Sequence, residues 1–344
     1  MAKLPTAKWL MRKIKNIDRE RLNKHLDILV EETGKSRLAI EWAIFWSFIT
    51  RGTSYTDFFR CNFINLTKEE KDTFFSAKQF YRFVNGIDDN SYEVIFHDKL
   101  VFNELFRDYL HRDFLNVRKA SVEEIEAFLA GREYVFAKET TGEGGHGISK
   151  VTVAEITDVA AWREELLERK QYLLEEAIVQ AADVDEINPN VVCSFRIVTL
   201  VKDGVPHIVG NALRVNQDDA QVIGCTNDLY FSLGEDGRID SNVIDDYGTI
   251  YDVHPLTGKR FDEVQLAHVD EAFEMVKRAA LEYPQIPYVG WDVGFTKEGP
   301  LLIEGNEYPG YGLLQFYKLK YSRTGHLKTV RDILGEDEFN RIMG

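Results

Sequence analysis

Two apolar segments near residue 300 limit the fold most strongly, because each alternates like a β-strand and carries oxygen-bearing side chains. Residues 288–293 include Asp292, and residues 301–306 include Glu304 and Asn306. Turn-forming residues separate the segments, so the pattern predicts a hairpin. Glu304 and Asn306 share one face because side chains alternate with a period of two. Two carboxylates and an amide suit nucleotide-bound magnesium better than zinc, although an ordinary hairpin with acids facing water stays open at this point.

The composition sets outer limits on the class of protein. A chain of 344 residues that is 44% hydrophobic can bury a large core and is predicted to divide into two or three lobes. A net charge of −15 repels phosphate backbones and argues against a nucleic-acid partner. The three cysteines form no CxxC pair, which is typical of reduced thiols in the cytoplasm.

Neither a membrane span nor an export signal is predicted. The longest apolar stretch, residues 38–49, carries Glu41 and is shorter than the ~20 residues that a bilayer span requires, so it is predicted to be a buried helix. No signal segment precedes it, which predicts a cytoplasmic protein. Residues 1–30 hold eight Lys/Arg against three Asp/Glu. We predict that this basic helix docks on the protein's own lobe, with peripheral contact to an anionic membrane as the alternative.

Local signals predict helices first and then a mixture of strands and helices. Thr67 and Glu70 form a capping-box signature that predicts one helix running through Phe83 to a stop near Gly86. Residues 121–124 form a second capping box. Strands are predicted over residues 134–138, 148–153, 172–174, 196–201, 206–215, 222–223 and 229–233, and further helices over 158–170 and 263–283.

Residues 142–147 contain four glycines in six positions and are predicted to form a flap whose backbone N–H groups approach phosphate oxygens. The glycines match the dinucleotide fingerprint G-x-G-x-x-G, but a β-branched strand follows them where a helix is required. A Walker loop is excluded because no Lys-Ser/Thr pair follows Gly147. Residues 111–113 read His-Arg-Asp as in a kinase catalytic loop, but the required asparagine is missing, so we interpret the match as coincidence.

The order of these elements resembles the ATP-grasp superfamily, and most closely its sugar-transfer-associated group. The order is lysine, lysine, glycine hairpin, an apolar-acidic strand and finally Asp…Glu-x-Asn, over roughly residues 95–318. The resemblance implies an α+β fold, the ATP-grasp fold, in which two α+β lobes clasp ATP. We predict a helical N-terminal lobe over residues 1–95, the small lobe with the flap over 96–172, and the large lobe with the magnesium site over 173–344.

The resemblance also assigns roles to individual residues. Those that would hold ATP are Lys99 and Lys138 at the phosphates, Gly142, Glu143, Gly144 and Gly145 in the flap, Glu175, Glu176 and Ile178 at the adenine, and Asp183 at the ribose. Those that would hold Mg²⁺ are Asp292, Glu304 and Asn306. Those that would act on the transferred phosphate, together with Lys138, are Arg196 and Arg214.

The implied activity is that of an ADP-forming ligase that makes a carbon–nitrogen bond. A small-molecule carboxylate would be activated by ATP as an acyl phosphate and joined to an amine, on a sugar or surface-polymer precursor. Many ligases of the superfamily place an arginine two residues before the metal aspartate, where this chain has Gly290, so Arg196 or Arg214 must supply that charge. A small-molecule kinase and a non-catalytic nucleotide-binding scaffold stay open, and a nicotinamide-dependent oxidoreductase ranks last.

Overall fold

The first part of the chain is helical, and strands begin only at Phe114. This holds for the described residues of the computed structural model, which are 17–142, 147–218 and 227–344. They group into two units. One unit holds the residues up to Ile87 with Ile244–Ile250 and Gly310–Gly344, and the other holds Asp88–Val243 and Tyr251–Pro309.

The helices and strands of the described residues are numbered in chain order. They are α1 (Arg19–Thr33), α2 (Arg37–Arg51), α3 (Tyr55–Arg60), α4 (Lys68–Lys71), α5 (Ala77–Ile87), α6 (Val94–His97), α7 (Lys99–Leu105), α8 (Arg107–Leu110), β1 (Phe114–Asn116), α9 (Val122–Leu129), β2 (Tyr134–Lys138), β3 (Ile148–Thr152), α10 (Val159–Glu168), β4 (Leu173–Glu176), α11 (Ala182–Asp185), β5 (Ser194–Lys202), β6 (Val205–Asn216), β7 (Asp228–Phe231), α12 (Val269–Glu282), β8 (Tyr288–Thr296), β9 (Gly299–Asn306), α13 (Tyr317–Lys320), α14 (His326–Leu334) and α15 (Glu336–Met343).

Both predicted capping boxes form, but the first opens a shorter helix than expected. Thr67 and Glu70 satisfy each other's backbone N–H groups, yet α4 ends at Lys71. The prediction of one continuous helix through Phe83 was therefore wrong. The break occurs because the backbone of Phe75 bonds to a side chain: its N–H donates to Gln315 Oε1 at 2.8 Å, and its carbonyl accepts from Gln315 Nε2 at 3.3 Å.

The apolar stretch over residues 38–49 forms helix α2 as predicted, but the prediction that this helix is buried was wrong. Only Ile40 and Ser47 of α2 are buried, while Leu38, Trp42, Phe45 and Trp46 are exposed. None of the described helices is both long enough and apolar enough to cross a bilayer. The basic segment that precedes α1, residues 1–16, lies outside the described residues.

The second unit contains two antiparallel sheets. The strand order is β1-β4-β2-β3 in one sheet and β7-β6-β5-β8-β9 in the other. The strands predicted from the sequence correspond to β2, β3, β4, β5, β6 and β7 and are confirmed. The predicted strand over residues 222–223 lies outside the described residues. The helix predicted from residue 263 begins later, at Val269, after a short 3₁₀ turn at Phe261–Glu263.

One face of the five-stranded sheet forms the core of this unit. Phe195, Trp291 and Val293 are fully buried there, and Phe195 packs against Phe273 of α12. The Trp291 indole N–H donates to Thr199 Oγ1 at 2.8 Å, so its polar atom is satisfied inside the core. Because successive side chains point to opposite faces, burying this set forces the residues between them onto the other face of the sheet.

Asp88 is a buried carboxyl group that folding keeps protonated. Neither of its oxygens makes a hydrogen bond of normal geometry among the described residues. Burial raises the pKa of Asp88 to about 8, although the backbone amide of Tyr288 opposes the rise, and the nearby Glu307 adds to it. The unfolded chain therefore loses this proton at lower pH than the folded chain does, and the group's contribution to stability falls as pH rises from about 4 to about 8.

We expect Asp88→Asn to stabilise the protein at pH 8, because the amide cannot ionise. The gain should be roughly 3 kcal/mol, a discounted value from about 1.4 kcal/mol per pKa unit, and should vanish near pH 4. Urea unfolding at both pH values measures it. The exposed Glu93→Gln is the matched control and should change stability little at either pH. An equal effect of Asp88→Asn at both pH values would contradict the raised pKa.

Candidate active site

The polar face of the five-stranded sheet brings most of the predicted catalytic and metal residues together. Cross-strand pairing places Arg196 of β5 opposite Asp292 of β8, and Asp292 opposite Glu304 of β9. Asn306 lies opposite Gly290 on the same face. Residues paired directly across neighbouring strands have their Cβ atoms about 5 Å apart. The side chains of these four residues, which come from three neighbouring strands, therefore lie close together on one face.

Arg196 and Asp292 form a bidentate ion pair at the centre of this face. Arg196 Nε donates to Asp292 Oδ1 at 2.6 Å, and Nη2 donates to Oδ2 at 2.8 Å. Burial by itself would raise the pKa of Asp292, but the Arg196 guanidinium outweighs it and holds that pKa below its usual range. Burial by itself would lower the pKa of Arg196, but the Asp292 carboxylate outweighs it and raises that pKa. The pair stays fully ionised at any physiological pH.

Gly290 leaves the space that Arg196 occupies. A Cβ at position 290 would lie 2.3 Å from the Cβ of Pro309 and 3.3 Å from the Cδ of Arg196. Both distances are shorter than ordinary contacts, so a side chain here would displace its neighbours. Arg196 also donates to the carbonyl of Pro309 at 3.3 Å, which fixes the other end of the guanidinium. The absence of an arginine at position 290 and the presence of Arg196 are thus sterically linked.

The donors on β8 and β9 match the ligand chemistry of magnesium. Asp292, Glu304 and Asn306 offer two carboxylates and an amide on one sheet face. The pairing register shifts after Asp292, which leaves Ile303 as an extra residue on β9, and such bulges re-aim neighbouring side chains. Asn306 Nδ2 is buried without a hydrogen-bond partner among the described residues. Within the same residues, no group of three His, Cys, Asp or Glu side chains is placed to hold a metal. Any metal here would therefore depend on the amide as well as the two acids.

Lys99 connects this face to the base of the glycine segment. It is the first residue of α7, whose N-terminus is capped by Asp98. Its Nζ donates to the Gly142 carbonyl at 2.9 Å and lies 3.4 Å from Glu304 Oε2. Its backbone N–H donates to the Thr140 carbonyl at 2.8 Å. A single cation is thus held beside both the predicted flap and a predicted metal ligand.

A second ionic cluster surrounds the buried Glu175 of β4. The carboxylate accepts from Asn103 Nδ2 at 2.6 Å and from Arg112 Nη2 at 3.0 Å, and Lys138 forms an ion pair with its other oxygen. Burial alone would raise the pKa of Glu175, but Arg112 and then Lys138 outweigh it and lower that pKa well below its usual range. Arg112 also donates to the Leu302 carbonyl at 2.6 Å, which joins β4 to β9.

Arg112 and Asn103 bind the Glu175 carboxylate, and neither residue was predicted from the sequence. The match of the His-Arg-Asp triplet to a kinase loop was interpreted as coincidence, but the side chain of its arginine is only 3% exposed. The only local signal would have been an arginine directly ahead of a strand. Its partner Glu175 lies 63 residues further on, so the contact is not visible in sequence spacing.

Arg214 lies on the same sheet face as Arg196, on the neighbouring strand β6. It is paired across the sheet with Ser194, whose hydroxyl donates to Asp292. Arg214 Nε donates to the fully buried carboxylate of Asp228 at 2.5 Å. Burial by itself would lower the pKa of Arg214, but Tyr230 and Asp228 outweigh it and raise that pKa. Two fixed guanidinium groups therefore lie beside the acidic residues of β8 and β9.

The remaining predicted ATP residues are placed as follows. Glu176 accepts from the Asp113 backbone N–H at 3.0 Å, and Ile178 is half-buried after the end of β4. Asp183 accepts from the backbone N–H groups of Ala267 at 2.7 Å and of Val184 at 3.0 Å, so its oxygens already stabilise a turn. Glu143, Gly144 and Gly145 lie outside the described residues. Their predicted roles stay predictions.

The profile of the sugar-transfer associated ATP-grasp family matches residues 77–323. The chain belongs to this family. Membership confirms the predicted resemblance and the predicted α+β, ATP-grasp fold. A search of curated protein sequences finds no match to the chain.

Solved structures with a similar fold share little sequence with this family member. D-alanyl-alanine synthetase A from Vibrio cholerae is 13% identical, with 72% of this chain and 66% of that chain covered and a TM-score of 0.43. VanG D-Ala:D-Ser ligase from Enterococcus faecalis is 16% identical, with 72% and 62% covered and a TM-score of 0.40. An L-amino acid ligase from Bacillus licheniformis is 12% identical, with 73% and 51% covered and a TM-score of 0.40. The chain thus spans about two thirds or less of each of these proteins.

Proposed function

We propose that this ATP-grasp protein is an ADP-forming ligase that activates a carboxylate with ATP and joins it to an amine. The observation that carries the proposal is the convergence of Arg196, Asp292, Glu304 and Asn306 on one sheet face, with Lys99 in an ion pair with Glu304. Three oxygen donors next to fixed cations form a suitable environment for a triphosphate and its metal ion. The family's description supports ATP as the phosphoryl donor.

Asp292, Glu304 and Asn306 are the residues that would hold magnesium. When bound there, the ion would neutralise charge on the ATP phosphates. The protein's own contribution would be positional: we assign Lys99 and Lys138 to the phosphates of ATP, and each is held by a carboxylate partner, Glu304 and Glu175 respectively. Fixed cations need no reorganisation as charge shifts during transfer.

The proposed reaction has two steps. An oxygen of the substrate carboxylate attacks the γ-phosphorus, the bond to the bridging oxygen of ADP breaks, and an acyl phosphate forms. The amine nitrogen then attacks the acyl carbon, inorganic phosphate leaves, and the amine loses a proton. Arg196 and Arg214 would stabilise the equatorial oxygens in the first step, because a guanidinium stays charged and has N–H groups beyond those that its carboxylate partner uses.

Our choice of substrate class is based on the family description. We place the acid or the amine on a sugar or surface-polymer precursor, in line with the name sugar-transfer associated. The buried free thiols of Cys61 and Cys193 suit the cytoplasm, where ATP is available. The net charge of −15 speaks against a polyanionic acceptor.

The decisive experiment is hydroxylamine trapping combined with phosphate release. The protein is incubated with Mg-ATP and pools of acids, with and without amines and sugars. A hydroxamate that forms only with one acid and ATP is expected for the ligase. A stable phosphorylated product in place of a hydroxamate would replace the proposal with a small-molecule kinase. ATP binding with no turnover across all pools would favour a non-catalytic nucleotide-binding scaffold.

A further inference from the structure

Helix α2 exposes an apolar stripe along its full length. The exposed fractions are 78% for Leu38, 64% for Trp42, 40% for Phe45 and 58% for Trp46. These residues recur every three to four positions and therefore lie on one side of the helix, while the buried Ile40 and Ser47 lie on the opposite side. A helix that is apolar all round is normally buried on every side. Here one side faces the solvent.

The stripe is too large to be incidental and too small for a stable protein interface. Its four side chains expose on the order of 500 Å² in total, from the ~150–250 Å² that a large aromatic residue can cover. Monomeric proteins seldom expose more than a few hundred Å² of contiguous apolar surface. A stable protein–protein interface, however, buries about 800 Å² on each partner. The area favours shallow insertion of one helix face into a lipid surface.

The distribution of charge along the chain indicates which type of lipid this surface would bind. The described residues of the unit that contains α2 carry 17 Lys/Arg and 16 Asp/Glu, whereas those of the other unit carry 20 and 39. The overall charge of −15 therefore does not come from the unit that contains α2. Residues 1–16, which lie outside the described residues, hold five Lys/Arg and no Asp/Glu. A chain that combines a basic segment with an apolar, tryptophan-bearing helix face has the features that bind anionic bilayers.

We propose that α2 is a membrane-docking surface through which the protein binds anionic lipid. Leu38, Trp42, Phe45 and Trp46 enter the boundary between headgroups and acyl chains, where tryptophan is favoured. Helix α2 stays parallel to the bilayer because its buried side packs on its own unit. The surface acts independently of the proposed ligase activity, since it uses no residue of the candidate active site.

The test is flotation of the full chain with vesicles of phosphatidylcholine, with and without phosphatidylglycerol. We expect the chain to float with the mixed vesicles and far less with phosphatidylcholine alone. The double variant Trp42→Ser, Trp46→Ser should weaken binding at least about tenfold, because each buried tryptophan contributes more than a kcal/mol. The matched control is Leu256→Ser, another exposed apolar residue, which should bind as the wild type does.

A second measurement locates the inserted residues. Brominated lipids should quench tryptophan emission, and Trp42→Phe, Trp46→Phe should lose most of the quenching while still binding vesicles. Quenching that is lost only in Trp9→Phe would place insertion in the N-terminal segment and overturn the proposal. So would wild-type flotation of the double serine variant. Absence of vesicle binding, with a dimer in light scattering that the serine variant abolishes, would identify α2 as an interface between copies. ATP turnover is measured in parallel and should not change.

Discussion

Replacing Glu304 with Gln is expected to lower ATP-dependent turnover by at least about a thousandfold while leaving the fold intact. Glu304 stands opposite Asp292 on the polar sheet face and pairs with Lys99 at 3.4 Å. The amide keeps the shape of the side chain but removes the negative charge that a divalent ion and Lys99 both require. Its side chain is 35% exposed, so the change should affect stability little.

The matched control lies in the turn of the same hairpin. Glu298 is exposed between β8 and β9, and Glu298→Gln removes the same charge from the same hairpin, away from the site. Turnover is measured against magnesium concentration for both variants, and melting temperature confirms folding. The Gln variant of Glu304 should need far more magnesium, whereas the control should behave as the wild type does. Near-normal turnover and magnesium dependence in Glu304→Gln would remove this residue from the mechanism.

The features that could be predicted from the sequence are those encoded locally. The hairpin β8-β9, the strand β2 and the capping box of α9 depend on residues within a few positions of each other, and each forms where the pattern placed it. The family resemblance also has this basis, because the order of short motifs along the chain needs no knowledge of packing. This is why the fold class could be predicted before any contact was known.

The features that could not be predicted depend on distant pairing. The Arg196–Asp292 contact joins residues 96 positions apart and needs the register of β5 against β8. Periodicity fails for α2 for another reason: when every side of a helix is apolar, the pattern does not tell which side is covered. The cluster around Glu175 shows the first problem again, because Asn103, Arg112 and Lys138 come from helix α7, the loop before β1 and strand β2.

Glu175→Gln should be the most destabilising of these substitutions, by about 3–5 kcal/mol at pH 7. Glu175 is 3% exposed, and its carboxylate is the shared partner of Arg112 and Lys138. An amide leaves the buried Arg112 guanidinium without a counter-charge, and an uncompensated buried charge costs more than the pair itself contributes. Glu176→Gln is the matched control: it removes the same charge from the next, more exposed position of β4, where ion pairs contribute ~1 kcal/mol or less.

The pH dependence separates this charge effect from a packing effect. Because the folded state lowers the pKa of Glu175, the wild type gains stability from its ionisation above the ordinary value of 4.5 and loses that gain as pH falls below it. The deficit of Glu175→Gln in urea unfolding should therefore stay nearly constant from pH 7 to about pH 5, and shrink as the pH falls below 4.5 towards 3. If the deficit stayed constant with pH, the loss would come from packing. If Glu175→Gln were as stable as Glu176→Gln, the ionic cluster would not stabilise the junction of β4 with β9.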